Sequence, residues 1–492
     1  MGSVYQFVLS GGLNLSTAKT TASPSELFIG LNYEQAPEIG YERIKGYAPY
    51  DDTVSAPPGT GPILGVNIYK GSVYAVREDS ATAKLYVSSG AGWTEITLPV
   101  PQSVTGKFRF YNHNFYAQPS QIEMFMVSGE GKCIKYDGTT ATEITTGASP
   151  DEPSHVYAHR DRLVLAQGAE VILSTAGNPS DYLLAGNFGV GYEITSLNSF
   201  SGILMVQSKE NTTALYGYDE SDWEMKPISA TGAIDDGTQA IAGDILSVDN
   251  QGLFALKAAQ AFGDFKYSTL TPKVASIFDK GQYTSGLASV ISRSKNQYRL
   301  FKGANGLYMT FSGPKLIGTT SVRYNHDVLN TKEGFDLNGD SFAVFGSTNG
   351  TVYQFDKTNF FDGDPVSAYL GLHFSQLGAF GQRKCIKKID LEVEVDGANM
   401  ALYVNPLFDY KNYDLPTTTY SISDLVATSE AIWDVSTWGS FTYGAVMNNK
   451  VRWSTSGIGE AIALQIASDG TEDATHKINS AAFRFENRGR SF

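Results

Sequence analysis

The chain has 492 residues, 42% apolar and only 18% charged, so it can bury a large core and is not a disordered chain. Its 50 glycines, 28 tyrosines and 27 phenylalanines combine turn formers with strand formers and point to an all-β protein. A net charge of −14 argues against a general nucleic-acid binder, which would carry a basic face, but not against a surface that nucleic acid slides past.

The opening residues lack the basic and apolar regions of a signal peptide. Gln6 stands where myristoylation requires Ser or Thr. No run approaches the ~18 apolar residues of a membrane helix. Synthesis in a reducing cytoplasm is therefore expected, with Cys133 and Cys385 as small packed thiols rather than a disulfide or zinc set.

Residues 1–60 form a first segment of extended or β character, with Gly11-Gly12-Leu13-Asn14-Leu15, Pro24 and Gly40-Tyr41-Glu42-Arg43-Ile44-Lys45-Gly46-Tyr47. Ala56-Pro57-Pro58-Gly59-Thr60-Gly61-Pro62 reads as a linker. From 61 to 383 a unit recurs: an apolar strand, a polar turn, then an apolar and aromatic strand. Val73, Phe115, Leu163, Leu204, Leu253, Tyr298 and Phe342 mark it. Their mean spacing of about 45 residues matches a propeller blade, a four-stranded sheet that must be covered on both faces by its neighbours. A β-propeller of six to eight blades is expected, with a set of β-sandwiches as the competing reading. Thr271-Pro272 before Val274, Ile277 and Phe278 predicts one short helix with a Thr cap and Pro at its first position.

Residues 384–492 leave the period and predict a separate C-terminal β-sandwich or β-barrel domain. Its first strand alternates Ile389, Leu391, Val393 and Val395 with Lys388, Asp390, Glu392 and Glu394. Trp433, Trp438, Phe441, Tyr443 and Trp453 suggest core or subunit-interface anchors, with sugar stacking as the alternative.

Candidate chemistry is sparse. His155 and His159 lie four apart, but their flanks read as strand, which separates them too far to share a metal. Asp336-Leu337-Asn338-Gly339-Asp340 resembles half a calcium loop, yet Ser347 occupies the position of the closing Glu, so a turn is favoured. Asp235-Asp236-Gly237 and Phe361-Asp362-Gly363-Asp364 read as turn signals. Among 51 acidic residues no carboxylate pair stands out, and there is no nucleophile elbow or phosphate loop. No catalytic, metal or cofactor-binding residue is assigned, and no enzymatic activity is expected.

Several blocks carry a resemblance. They are Gly11 to Leu15; Leu31-Asn32-Tyr33-Glu34; Gly40 to Tyr47; Tyr50-Asp51; Gly346-Ser347-Thr348-Asn349-Gly350-Thr351-Val352-Tyr353-Gln354-Phe355-Asp356; Phe360 to Gly363; Arg383-Lys384; and Arg488-Gly489-Arg490. Spread over the whole chain, they resemble the tail nozzle, or tail tubular, proteins of short-tailed, podovirus-like bacteriophages. The resemblance implies a structural virion protein with a β-propeller core, forming a homo-hexamer at the distal tail. It implies docking to the adaptor of the head-to-tail connector and to tail fibres, with the host cell surface nearby. It also implies a channel that is closed before infection and later passes double-stranded DNA without sequence-specific binding. An acidic wall suits that passage, because phosphates slide past like charge. The alternative is a carbohydrate-binding or depolymerising phage tail protein built on a propeller.

Overall fold

A computed structural model describes residues 2–19, 21–115, 122–182, 187–200, 202–219, 221–241, 243–258, 265–378, 380–397, 400–411, 419–422, 449–471 and 473–490. Trp433, Trp438, Phe441 and Tyr443 of the expected aromatic cluster lie outside the described residues, as does the Trp453 side chain. The chain forms two compact units. One comprises Pro49–Gly306 and Tyr324–Phe355, the other Met1–Ala48, Leu307–Arg323 and Asp356–Phe492.

The first unit is a β-propeller. Five consecutive four-stranded meanders open it. The first is Ile63–Tyr69, Ser72–Asp79, Thr82–Ser88 and Trp93–Ile96. The second is Arg109–His113, Glu123–Val127, Ile134–Tyr136 and Ala141–Glu143. The third is His155–His159, Arg162–Gln167, Glu170–Leu173 and Asn187–Gly189. The fourth is Ile194–Phe200, Ile203–Ser208, Thr212–Tyr216 and Glu224–Ser229. The fifth is Thr238–Ile241, Asp244–Asp249, Gly252–Ala258 and Phe265–Thr269. A sixth blade, Asn330–Phe335, Ser341–Gly346 and Val352–Phe355, is completed by the entering chain, where Tyr50 N–H donates to Val352 O at 2.9 Å. Between the fifth and sixth, Leu287–Ser292 pairs with the start of Gln297–Ser312 as a partial sector.

Strand periodicity explains why the blades stack. On Glu123–Val127, Met124 and Met126 pack with Tyr74, Val76 and Leu85 of the first blade. The alternate residues, Phe125 and Val127, pack with Leu163 and Leu165 of the third. Val164 and Ala166 then turn to Leu204 and Val206 of the fourth. Each central strand thus buries both faces, which is why it reads as a continuous apolar run rather than an alternating one. The circle closes where Ile63, Val66 and Ala75 meet Val344 and Val352 of the sixth blade.

The periodic markers map one to a sector. Val73, Leu163, Leu204, Tyr298 and Phe342 each fall in a second strand. Leu253 falls one strand further out, and Phe115 precedes its strand, which accounts for the uneven spacing. The short helix is present as Pro272–Val274 and Ala275–Asp279, but Thr271 does not cap it. Its Oγ1 instead accepts from Leu253 N–H at 3.0 Å, tying the helix to the fifth blade. The expected linker is anchored too: the Arg77 side chain donates to Gly61 O at 3.0 Å and also to Pro57 O.

The second unit contains two sheets. One runs Tyr33–Gln35, Tyr41–Arg43, Ala474–Arg490, Gln382–Gly397, Asn449–Gly459, with Ser3–Val8 also paired to Ala474–Arg490. The other joins residues 315–323 to Leu27–Leu31, Ala368–Leu372, Ile462–Ser468, Met400–Phe408 and Thr419–Ile422. Ile389, Leu391 and Val393 are buried as the alternation requires. Asp390 on the opposite face is also buried, held by Arg452 Nε at 2.6 Å and Arg484 Nε at 3.0 Å.

This arrangement revises the sequence-based boundaries of 1–60, 61–383 and 384–492. The N-terminal 48 residues and residues 307–323 supply strands to the sheets that also hold residues 384–492. Pairings such as Ser3↔Phe485 join residues distant in sequence and leave no local mark.

Two resemblance blocks meet in this unit. Tyr47 stacks on Phe361 with centroids 5.1 Å apart, and Asp362 N–H donates to Tyr47 O at 2.8 Å. Asp362 and Gly363 have φ of 52° and 91°, forming the turn that Asp-Gly announced. A Cβ at Gly46 would sit 1.8 Å from Phe360 O, so only glycine admits this approach. Gly46→Ala is expected to destabilise the protein by about 1–3 kcal/mol through overpacking. Loss of soluble yield and a lowered thermal midpoint are the readouts; an unchanged midpoint contradicts the contact.

Candidate functional site

The inner strands of the propeller are laced around its axis by side chains. Asn67 Nδ2 donates to Asn112 Oδ1 at 2.8 Å, and His159 Nδ1 meets Ser199 Oγ at 2.9 Å. Gln239 Nε2 donates to Ser289 O at 2.9 Å, Thr331 Oγ1 to the same carbonyl at 2.7 Å, and Asn330 Nδ2 to Ile63 O at 2.8 Å. First strands lack the apolar density of second strands, so polar cross-links hold them.

They enclose an axial cavity of about 340 Å³, lined by Lys107, Arg109, His155, Asp236, Lys332 and Glu333 among others. Its main feature is a clasp on the loop Asp235-Asp236-Gly237. Arg109 grips Asp236 with two parallel hydrogen bonds, Nε to Oδ1 and Nη2 to Oδ2, both 2.9 Å. Its Nη2 also reaches Asp235 Oδ2 at 2.5 Å, and Lys107 Nζ pairs with Asp236. His155 Nε2 lies 2.9 Å from Asp235 Oδ1. Tyr298 Oη donates to Gly237 O at 2.8 Å. The loop before the fifth blade therefore binds the second blade, the third and the partial sector together.

Electrostatics follow from this geometry. Burial alone raises the Asp236 pKa, but Arg109 and Lys107 outweigh it and hold the carboxyl well below the usual range. Burial and then the Arg109 charge lower the His155 pKa, against the pull of Asp235. Lys332 reaches Phe110 O at 3.1 Å, and burial pushes its amine down to about 8 while Glu333 opposes the shift. Glu333 itself pairs with Arg293 at 2.9 Å. Lys107, Arg109, Arg293 and Lys332 outnumber Asp236 and Glu333 on this wall.

The residues singled out from sequence are not brought together here as a reactive set. His155 and His159 end one strand and serve different partners, Asp235 and Ser199. Among the described residues no group of three or more His, Cys, Asp or Glu stands ready for one ion. Asp336 Oδ1 accepts from Asn338 N–H and Asp340 N–H, both at 2.8 Å, so the calcium-like block is a closed hairpin turn. Cys133 and Cys385 are buried and free. Sequence reasoning missed Lys107 and Arg109 altogether. The only local trace of the clasp is the doubled Asp before Gly237, a pattern that by itself signals a turn.

Fold and site together define a β-propeller protein with a second, two-sheet β unit. No family model matches the chain, and no curated protein matches it. Among solved structures, the WD40 domain of Toxoplasma gondii coronin is similar at a TM-score of 0.41 and 9% identity, over 66% of this chain and 87% of that one. BBS1N in complex with ARL6DN gives a TM-score of 0.41 and 10% identity, over 66% and 98%. Similarity at this level carries no functional argument, and the propeller assignment stands on the blades described above.

Proposed function

We propose that this protein is the distal tail nozzle of a short-tailed bacteriophage, a structural virion protein acting as a ring of six on the adaptor. The observation that carries the reading is the set of sequence blocks resembling that family, two of which, Gly40 to Tyr47 and Phe360 to Gly363, are packed against each other at Gly46 and Tyr47. In this reading DNA runs between copies rather than along the propeller axis, which holds a cavity of only about 340 Å³. The net charge of −14 suits a wall that duplex DNA slides past. Contacts to the adaptor and the tail fibres belong to the same proposal.

Cryo-electron microscopy of virions tests it. Six copies at the distal tail are expected, with Asp and Glu outnumbering Lys and Arg on the channel wall. Copies found only on the capsid or in trimeric fibres overturn the assignment. Degradation of host polysaccharide, lost on changing one Asp or Glu, would favour the depolymerase instead.

A further inference from the structure

Two edges of the sheet built around Ala474–Arg490 have no partner strand among the described residues. One is Ser3–Val8. Leu9 N–H donates to Asn479 O at 2.9 Å, and the register runs back through Val8↔Ser480 to Ser3↔Phe485. In an antiparallel pair inward and outward backbone groups alternate. Phe7, Tyr5 and Ser3 therefore bond within the sheet, while Val4, Gln6 and Val8 direct N–H and C=O outward. The same three residues are exposed at their side chains, Val4 by 54% and Val8 by 46%. Phe7 meanwhile stacks on Phe483 at 6.1 Å, which fixes the strand in place. The opposite edge is Asn449–Gly459, which pairs on one side with Gln382–Gly397 and, among the described residues, with no strand on the other. It too holds an apolar side chain in solvent, Ile458 at 52% exposure.

Exposed edge strands are templates for pairing, and proteins that must stay monomeric blunt them. Two different open edges at opposite ends of one sheet fit a head-to-tail contact, the kind that closes into a ring. We propose that Ser3–Val8 of one copy adds to Asn449–Gly459 of a second copy of this chain, continuing the sheet from subunit to subunit. Main-chain hydrogen bonds would supply the contact, and Val4, Val8 and Ile458 would be covered by it. The ring reading above sets the number of copies, but the strand contact does not depend on it.

Cysteine cross-linking of the full chain tests the contact in a Cys385→Ser background, because Cys385 lies directly opposite Ile458 in the strand pairing and would compete for a thiol placed there, whereas Cys133 is buried in the propeller. Oxidation of the double variant Val4→Cys/Ile458→Cys at high protein concentration is expected to give an intermolecular ladder, absent from either single variant. Adding Gln6→Pro removes one outward N–H at an edge position where proline is tolerated, and should abolish the ladder; Gln6→Ala should retain it. Dimers from Val4→Cys alone would indicate a symmetric contact and overturn the proposal. So would a disulfide within one chain, no cross-link, or a ladder unaffected by Gln6→Pro. Six copies at the tail together with a failed cross-link would leave the nozzle reading standing and remove only the strand contact.

Discussion

Asp236→Ala is expected to lower propeller stability by about 3 kcal/mol, because it strands Arg109 and Lys107 without their shared counter-ion. Asp235 remains in contact with Arg109, and Asp236 retains some solvent access, so the lower end of the range for a broken buried pair applies. A thermal-denaturation comparison should show a double variant, Asp236→Ala with Arg109→Met, losing less than the sum of the two single changes. Additive losses would mean the clasp is not coupled. The pH dependence has a defined sign. The folded carboxyl lies below its unfolded value of ~3.9, so its contribution is fully present above that pH and disappears only as pH falls through the folded value. Wild type and Asp236→Ala should therefore differ by a constant amount near neutrality and converge only in strong acid.

A second large effect comes from the two-sheet unit. Tyr33 Oη and His476 Nε2 lie 2.6 Å apart in full burial. Burial, aided by the Arg43 charge, pushes His476 down to about 3, so the ring is neutral and Tyr33 donates to it. A histidine ordinarily titrates near 6.5, and each pKa unit is worth ~1.4 kcal/mol. As pH falls from ~6.5 toward the folded value, the unfolded chain takes up a proton that the folded chain refuses. Stability should drop by several kcal/mol over that span. His159 is lowered to about 4, by burial and then Arg160, and adds in the same direction. His476→Gln should flatten the acid limb of a midpoint-against-pH curve while costing some stability at neutral pH. An acid limb of unchanged steepness would show that His476 does not drive it.

The all-β class and the blade period were legible because they rest on local pattern. Strands of the second type, such as Arg162–Gln167, bury alternate residues against two neighbours, so they repeat as apolar runs at blade spacing. The strand from Ile389 to Val393 was legible for the complementary reason, one apolar and one polar face. The clasp was not legible. Arg109 and Asp236 are joined across 127 positions by an ion pair, and nothing near Arg109 distinguishes it from a solvated arginine. Thr271 shows the same limit at short range: its sequence context announced a cap, and a tertiary partner, Leu253, took the hydroxyl.

Composition and periodicity, properties of the chain alone, determined that this protein is all-β, acidic and built from repeats of about 45 residues, because strand burial imposes spacing on apolar side chains. Tertiary structure alone decided that residues 1–48 belong with 356–492, that six complete blades share the ring with a partial sector, and that Lys107, Arg109, His155, Asp235 and Asp236 converge at its axis. Those outcomes depend on hydrogen bonds and ion pairs between residues far apart in sequence. Such bonds are satisfied in space and place no constraint on the spacing or type of the residues beside them.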